Sequence, residues 1–147
     1  MSGASSGGPH ASPGFWLHHA ALTWRQACEA RLGDITYPQF NVLSAVSLLA
    51  ADGGGPPTQQ DVARFARMDR MMTSKLIHTL EGRGLLKRSP DAGDGRRWRL
   101  TLTPAGRSAV RACVAAAHRA DDEIFGTEPE RDRLRDALRA IAEKQEW

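Results

Sequence analysis

Residues 58–103 constrain the fold most, because two short helices meet there across a tight turn and a hairpin follows directly. Thr58 and Asp61 open the first of these helices, and Arg67-Met68-Asp69 makes a turn in which Asp69 can cap the second. The second helix is expected to close at Gly82-Arg83-Gly84. This succession predicts a winged helix-turn-helix.

The hairpin is expected to carry cations on one face. Leu85 to Ser89 reads as its first strand, residues 91–95 as its turn, and Arg97 to Leu102 as its second strand. In the second strand the apolar residues Trp98, Leu100 and Leu102 alternate with Arg97, Arg99 and Thr101. We expect the apolar set to face the core, with Trp98 as a plug under the hairpin, while a base-stacking Trp98 is the alternative.

The second short helix shows two stripes at helical spacing. One stripe contains Thr73, Leu76, Ile77 and Leu80, and the other contains Met71, Ser74, Lys75 and His78. Because the outward residues near the start of a reading helix meet base edges, we predict contacts with double-stranded DNA from Arg70, Met71, Ser74, Lys75 and His78. The arginines Arg96, Arg97 and Arg99 of the hairpin are predicted to reach an adjacent minor groove.

The distribution of charge along the chain agrees with DNA binding by its central segment. Residues 58–111 hold 12 Lys/Arg against 5 Asp/Glu, whereas the remaining residues hold 8 against 12. A segment with that excess can neutralise phosphates. The sequence therefore predicts a nucleic-acid surface in the central segment.

Other function classes are not indicated. There is no glycine-rich phosphate loop, serine elbow or paired acid set, so we expect neither an enzyme nor a cofactor. Cys28 and Cys113, like His18, His19 and His118, lack metal-ligand spacing, and two buried thiols without a metal are expected. No apolar run reaches the ~18 residues of a membrane span, and no signal peptide is evident. We expect a cytoplasmic protein with no membrane partner.

The flanking helices indicate a homodimer. Residues 1–13 are predicted to form a disordered tail, and residues 14–33 to form an amphipathic helix. A core helix is expected to start at a capping box of Thr36 and Gln39. A long helix should run from Thr103-Pro104 to Phe125, and a last helix should start at a second capping box, Thr127 to Glu130. The apolar stripes of the first and last helices need a partner, and a second copy supplies it. Two-fold pairing then implies a palindrome with half-sites ~10 bp apart.

Several stretches, in their order, resemble the MarR family of bacterial transcriptional regulators across residues 14–147. They are Thr36-Tyr37-Pro38-Gln39-Phe40, Met68-Asp69-Arg70 leading to Ser74-Lys75-Leu76, Leu80 to Leu85, and Leu102 to Gly106. The resemblance implies a mainly α fold with a small β-wing, in which residues 58–103 form the winged helix-turn-helix. It also implies a homodimer built by residues 14–33 and 104–147, a pseudo-palindromic operator, and a ligand lodged between the dimer and reading lobes.

The resemblance also bears on the wing and on sensing. Asp91, Asp94 and Arg96 match the family's Asp and Arg pattern, so Arg96 takes the minor-groove role and Asp94 is its expected orienting partner. Gly93 and Gly95 depart from that pattern and predict a more flexible tip. The family's peroxide-sensing branch has a reactive cysteine where this chain has Ser12, so thiol-peroxide sensing is not expected.

Five aromatic residues lie in the first two helices, where a small aromatic effector would stack between rings; core and dimer packing is the alternative. They are Phe15, Trp16, Trp24, Tyr37 and Phe40. The function expected is that of a ligand-responsive, operator-binding repressor. The alternative is a winged-helix module that binds only protein, and the salt dependence of DNA binding separates the two.

Overall fold

Six α-helices and a two-stranded antiparallel hairpin make up residues 7–144, the part of the chain that the computed structural model describes. The elements are α1 (Pro13–Glu29), α2 (Tyr37–Ala51), α3 (Gln59–Ala66), α4 (Arg70–Gly82), β1 (Leu86–Pro90), β2 (Trp98–Leu102), α5 (Pro104–Phe125) and α6 (Glu130–Ala142). This order confirms the predicted fold class, mainly α with a small β-wing. Within the described residues, no helix combines the length and the apolar character that crossing a bilayer requires.

Side-chain caps fix the starts of four helices, three of them at residues expected to cap. The Thr36 hydroxyl accepts the Gln39 N–H at 3.3 Å, and the Gln39 side chain accepts the Thr36 N–H at 3.1 Å. Thr58 and Asp61 form the same reciprocal pair ahead of α3. Asp69 caps α4, and Thr103 caps α5. Each cap satisfies N–H groups that a helix start leaves without partners, which stabilises the boundary by about 1 kcal/mol.

The capping box predicted at Thr127 is wrong. α6 begins at Glu130 behind Pro129, and no side chain caps it. Thr127 instead accepts the Arg131 N–H through its carbonyl oxygen at 3.1 Å. The Arg131 guanidinium binds Asp122 and Glu128, so ion pairs rather than a threonine cap hold this helix start.

The prediction of a disordered tail is wrong for residues 7–13. Pro9–Ala11 form a short 3₁₀ helix and Pro13 already begins α1. The Trp16 indole N–H donates to the His10 carbonyl at 2.8 Å, and the His10 ring lies 5.0 Å from that of Phe15. Aromatic side chains of α1 therefore supply packing that the composition of the tail does not offer. The remainder of the predicted tail, residues 1–6, lies outside the described part of the chain.

The core is centred on α2, as its apolar character predicts. Leu43 and Val46 of α2 pack with Ile77 and Leu80 of α4 and with Leu100 of β2, all five buried. Cys28 of α1 and Cys113 of α5 belong to the same cluster and are free, buried thiols, as predicted. Burial raises the pKa of both thiols above the ordinary value, so they are held protonated.

The hairpin is attached to the rest of the fold at its base. The strands pair from Leu86 opposite Leu102 to Pro90 opposite Trp98. The Leu100 N–H donates to the Pro57 carbonyl at 2.8 Å, and the Thr103 N–H donates to the Leu85 carbonyl at 3.1 Å. These bonds set the direction in which the wing leaves the core.

Candidate nucleic-acid interface

α4 turns its apolar stripe inward and its polar stripe outward. Thr73, Ile77 and Leu80 are fully buried. The residues predicted to meet DNA, Arg70, Met71, Ser74, Lys75 and His78, are all exposed on the other side. The Thr73 hydroxyl donates to the Asp69 carbonyl at 2.8 Å, which ties the buried side to the cap. The orientation of the helix is therefore the one its spacing predicts.

The turn between α3 and α4 is tight, as predicted, and brings further cations to this side. Arg67 adopts a left-handed conformation with φ of 52° at the end of α3, and the Met68 N–H closes the turn on the Ala63 carbonyl at 2.9 Å. Arg64, Arg67 and Arg70 line a hollow of about 660 Å³ between the two helices. Arg64 and Arg67 were not among the residues predicted to contact DNA. Their signal was the positive excess of the central segment.

The tip of the wing is shaped by carboxylates that accept backbone N–H groups. Asp94 accepts the Arg96 backbone N–H at 3.0 Å, and Asp91 accepts the Gly93 N–H at 3.3 Å. The expectation that Asp94 orients the Arg96 guanidinium is therefore corrected: Asp94 forms a turn, as short Asp side chains commonly do. Arg96 and Arg97 are exposed, and within residues 7–144 their guanidinium groups form no hydrogen bond or ion pair.

Arg99 lies differently from the other wing arginines. Its guanidinium donates to the Pro56 carbonyl at 2.9 Å and to the Asp91 carboxylate at 3.2 Å. The hydrogen bond from Arg99 holds the pKa of Asp91 below its usual range. Because the side chain is engaged inside the subunit, Arg99 positions the wing, and the predicted direct contact of Arg99 with DNA does not follow from this geometry.

Trp98 is not a core plug, and that prediction is wrong. Its side chain is 47% exposed, whereas Leu100, two residues along the same face, is 1% exposed. Leu100 and the buried Leu86 already close the core under the hairpin. Trp98 lies beyond that last apolar layer, opposite Pro90 near the open end of the wing.

The five aromatic residues proposed as an effector site form two groups. Phe15 and Trp16 contact each other at the start of α1, with ring centroids 5.2 Å apart. Trp24 and Tyr37 meet edge to face at 5.7 Å, and Phe40 lies behind them in the core. The five residues therefore do not form one site.

The Trp24 group carries polar contacts as well as rings. The Trp24 indole donates to Asp121 of α5 at 2.7 Å, and the Arg25 guanidinium lies 5.0 Å from the centre of the Tyr37 ring. Burial raises the pKa of the Tyr37 hydroxyl, which stays protonated. A half-buried aromatic pair with a cation beside it thus lies where α1, α2 and α5 meet.

α3, the turn, α4 and the hairpin together define a winged helix-turn-helix protein. The sequence profile of the MarR family matches residues 35–98. The uncharacterized HTH-type transcriptional regulator YdcH of Bacillus subtilis is 30% identical over 136 residues, which cover 91% of this chain and 92% of that protein. The chain belongs to the MarR family, whose members are transcriptional regulators and not enzymes.

Solved structures agree with this assignment. A probable transcriptional regulator from Pseudomonas aeruginosa superimposes with a TM-score of 0.77 at 27% identity, over 90% of this chain and 98% of that chain. BpsR of Bordetella bronchiseptica gives a TM-score of 0.76 at 27% identity, over 91% of this chain and 95% of that chain. The BpsR structure concerns the regulation of its DNA binding by 6-hydroxynicotinic acid.

Proposed function

We propose that this regulator binds a palindromic operator as a homodimer and represses transcription until a small aromatic ligand releases it. The observation that carries the proposal is the position of Ser74 and Lys75, exposed on the outer face of α4, in a fold whose wing also exposes Arg96 and Arg97. Since its proposed target is the chromosome, the protein acts in the cytoplasm.

The exposed residues divide into those that contact bases and those that contact the sugar–phosphate backbone. Lys75 donates to guanine or phosphate, Ser74 serves either partner, and Met71, which is 71% exposed, packs against a thymine methyl. Arg70 and His78 flank these residues on the same face of α4. Arg96 enters the minor groove, where narrow A/T stretches attract arginine.

The homodimer is supported by apolar side chains that the single subunit leaves in water. In α6 these are Leu134, Leu138 and Ile141, at helical spacing on one stripe, and in α1 they are Leu17 and Leu22. A stripe of this kind on a helix of a water-soluble protein indicates contact with another surface. A second copy presents the same stripe across a two-fold axis and would place two α4 helices for two half-sites.

The ligand proposal rests on the Trp24–Tyr37 pair and on the relative BpsR. An aromatic acid has a ring that can stack on Trp24 or Tyr37. Its carboxylate can compete with Glu29, 2.9 Å from the Arg25 guanidinium, for that cation. Phe40 supports the pair from the core. Phe15 and Trp16 belong to the separate cluster and are not part of this proposed site. Titration with 6-hydroxynicotinic acid should quench tryptophan fluorescence in the wild type, and a response unchanged in Trp24→Phe would contradict the placement.

A salt titration tests the central proposal. Binding to a labelled duplex should weaken with salt, with log K falling by ~0.9 for each phosphate contacted per tenfold rise in salt concentration. A salt-independent interaction, or no interaction with any duplex, would favour the protein-only alternative.

Side-chain variants then separate the roles. Ser74→Ala and Lys75→Ala should cost about 1–3 kcal/mol on a selected operator and little on random DNA, whereas Arg96→Ala should weaken both. Arg119→Ala on α5 removes an exposed cation away from the proposed surface and serves as the control. Equal losses for all variants on random DNA would contradict the roles assigned to Ser74 and Lys75.

A further inference from the structure

We propose that Trp98 forms the wall of a second DNA contact, a cleft between the wing and the first turn of α3 that takes the sugar–phosphate backbone of one strand. The inference rests on the proposed DNA binding and adds a residue to it. Its occupant carries no sequence information, so the cleft contributes affinity and register rather than specificity.

The cleft is built from two elements that the fold brings together. It has a volume of about 210 Å³, and its lining includes Gln59 and Gln60 of α3 together with Arg96, Arg97 and Trp98 of the hairpin. Thr58, Arg88 and Leu100 complete the lining, which contains no carboxylate. At ~30 Å³ per water molecule the volume corresponds to about seven waters, room for a sugar and its phosphate but not for a base pair.

The charge of the cleft comes from the open end of the wing. Arg88 lies opposite Leu100 in the strand register, on the same face as Trp98, and its Nε donates to Glu81 of α4 at 2.6 Å. Glu81 therefore neutralises Arg88 and holds it in place. Arg96 and Arg97, exposed and without an ion pair among the described residues, leave the cleft with a net positive charge. That charge selects an anion.

The exposed indole of Trp98 favours an anionic ligand that also has an apolar surface. Trp98 is 47% exposed beside two cations, and among residues 7–144 its indole forms no hydrogen bond and no ring contact. A free phosphate would use the arginines and leave the indole in water. A deoxyribose joined to a phosphate uses both, because its ring packs on the indole while Arg97 and the Gln59 and Gln60 amides reach the phosphate oxygens.

The test compares Trp98→Ala and Trp98→Phe with Phe65→Ala in the full-length protein. Phe65 is the matched control, because it is an aromatic residue 48% exposed on α3 and does not line the cleft. The probes are two fluorescein-labelled duplexes, one selected for tight binding and one of random sequence, and affinity is measured by anisotropy across a salt series. Thermal unfolding of each variant shows whether the fold is intact.

Trp98→Ala should bind both duplexes about tenfold more weakly with an unchanged salt slope, since no charge is removed. Trp98→Phe keeps an aromatic face and should stay within about threefold of the wild type, and Phe65→Ala should equal the wild type. A second arm adds inorganic phosphate alone. We expect no Trp98-dependent change in fluorescence, so the wild type and Trp98→Phe should respond to phosphate in the same way.

Three results would overturn the inference and leave the proposed function standing. They are a Trp98→Ala variant that binds like Phe65→Ala, a loss confined to the selected duplex, or a Trp98-dependent response to inorganic phosphate equal to that with DNA. The first would deny Trp98 a role, the second would make it a base reader, and the third would make the cleft a site for free anions. If the wild type binds neither duplex, the proposed function fails and the inference fails with it.

Discussion

Replacing Gly106 by alanine is expected to destabilise the joint between the wing and α5. Gly106 lies in the first turn of α5, directly against the last residue before β1. A Cβ atom added there would lie 2.0 Å from the Leu85 carbonyl oxygen and 3.0 Å from the Leu85 carbonyl carbon. Both obstructing atoms are backbone, so the strain cannot be relieved by turning a side chain.

The expected loss follows from three contributions. Restoring a normal contact requires the two backbones to separate by about 1.5 Å, and overpacking of this kind costs ~1–3 kcal/mol. The same Leu85 oxygen accepts the Thr103 N–H at 3.1 Å, and losing that bond adds about 1 kcal/mol. Alanine recovers about 1 kcal/mol through its better helix propensity. The variant should therefore lose about 1–3 kcal/mol, and a loss in the middle of that range lowers the melting temperature by roughly 4–8 °C in a chain of this length.

Gly82→Ala is the matched control, because Gly82 also lies in a helix but has no atom within 4 Å of the added Cβ. It should be neutral or stabilised by up to about 1 kcal/mol. Thermal unfolding followed by circular dichroism, at one protein concentration because dimerisation would shift the midpoint, measures both variants. Equal melting temperatures for Gly106→Ala and Gly82→Ala would refute the reasoning.

Three further predictions concern the caps and the wing. Asp69→Ala should lower the free energy of unfolding in urea by about 1 kcal/mol while Asp69→Asn stays near the wild type, and a neutral alanine variant would deny the cap its role. The hydrogen bond from the Thr58 N–H holds the pKa of Asp61 below its usual value. The ionised Asp61 carboxylate therefore stabilises the fold fully above the ordinary pKa of about 3.9, and this stabilisation is lost as the pH falls through the lowered pKa. Asp61→Asn should remove that part of the acid sensitivity in unfolding measured between about pH 2 and pH 5, and an unchanged profile would contradict it. Arg99→Ala should speed hydrogen exchange at the Leu100 amide, and Arg99→Lys should not restore protection, because an ammonium lacks the planar fork that reaches both Pro56 and Asp91.

Helix starts and helix faces were determined by the sequence where the deciding residues are neighbours along the chain. A cap depends on residues three apart, so Thr36, Thr58 and Asp69 could be recognised before any coordinates. The two faces of α4 follow in the same way from the spacing of Ile77 and Leu80 against Ser74 and Lys75. The capping box at Thr127 failed although its spacing was correct, because α6 begins only after Pro129, and Arg131 in its first turn pairs with Glu128 and with Asp122 of α5.

Only the tertiary structure decided what each wing residue contacts. Alternation in β2 tells which residues share a face, but not where the core ends, and so it could not show that Trp98 lies beyond the last apolar layer. It likewise could not show that Arg99 turns to Pro56, 43 residues away, while Arg96 and Arg97 stay in solvent. The physical reason is that side chains meet partners distant in sequence only after the backbone has been packed, whereas caps and stripes are set by the local geometry of a single helix.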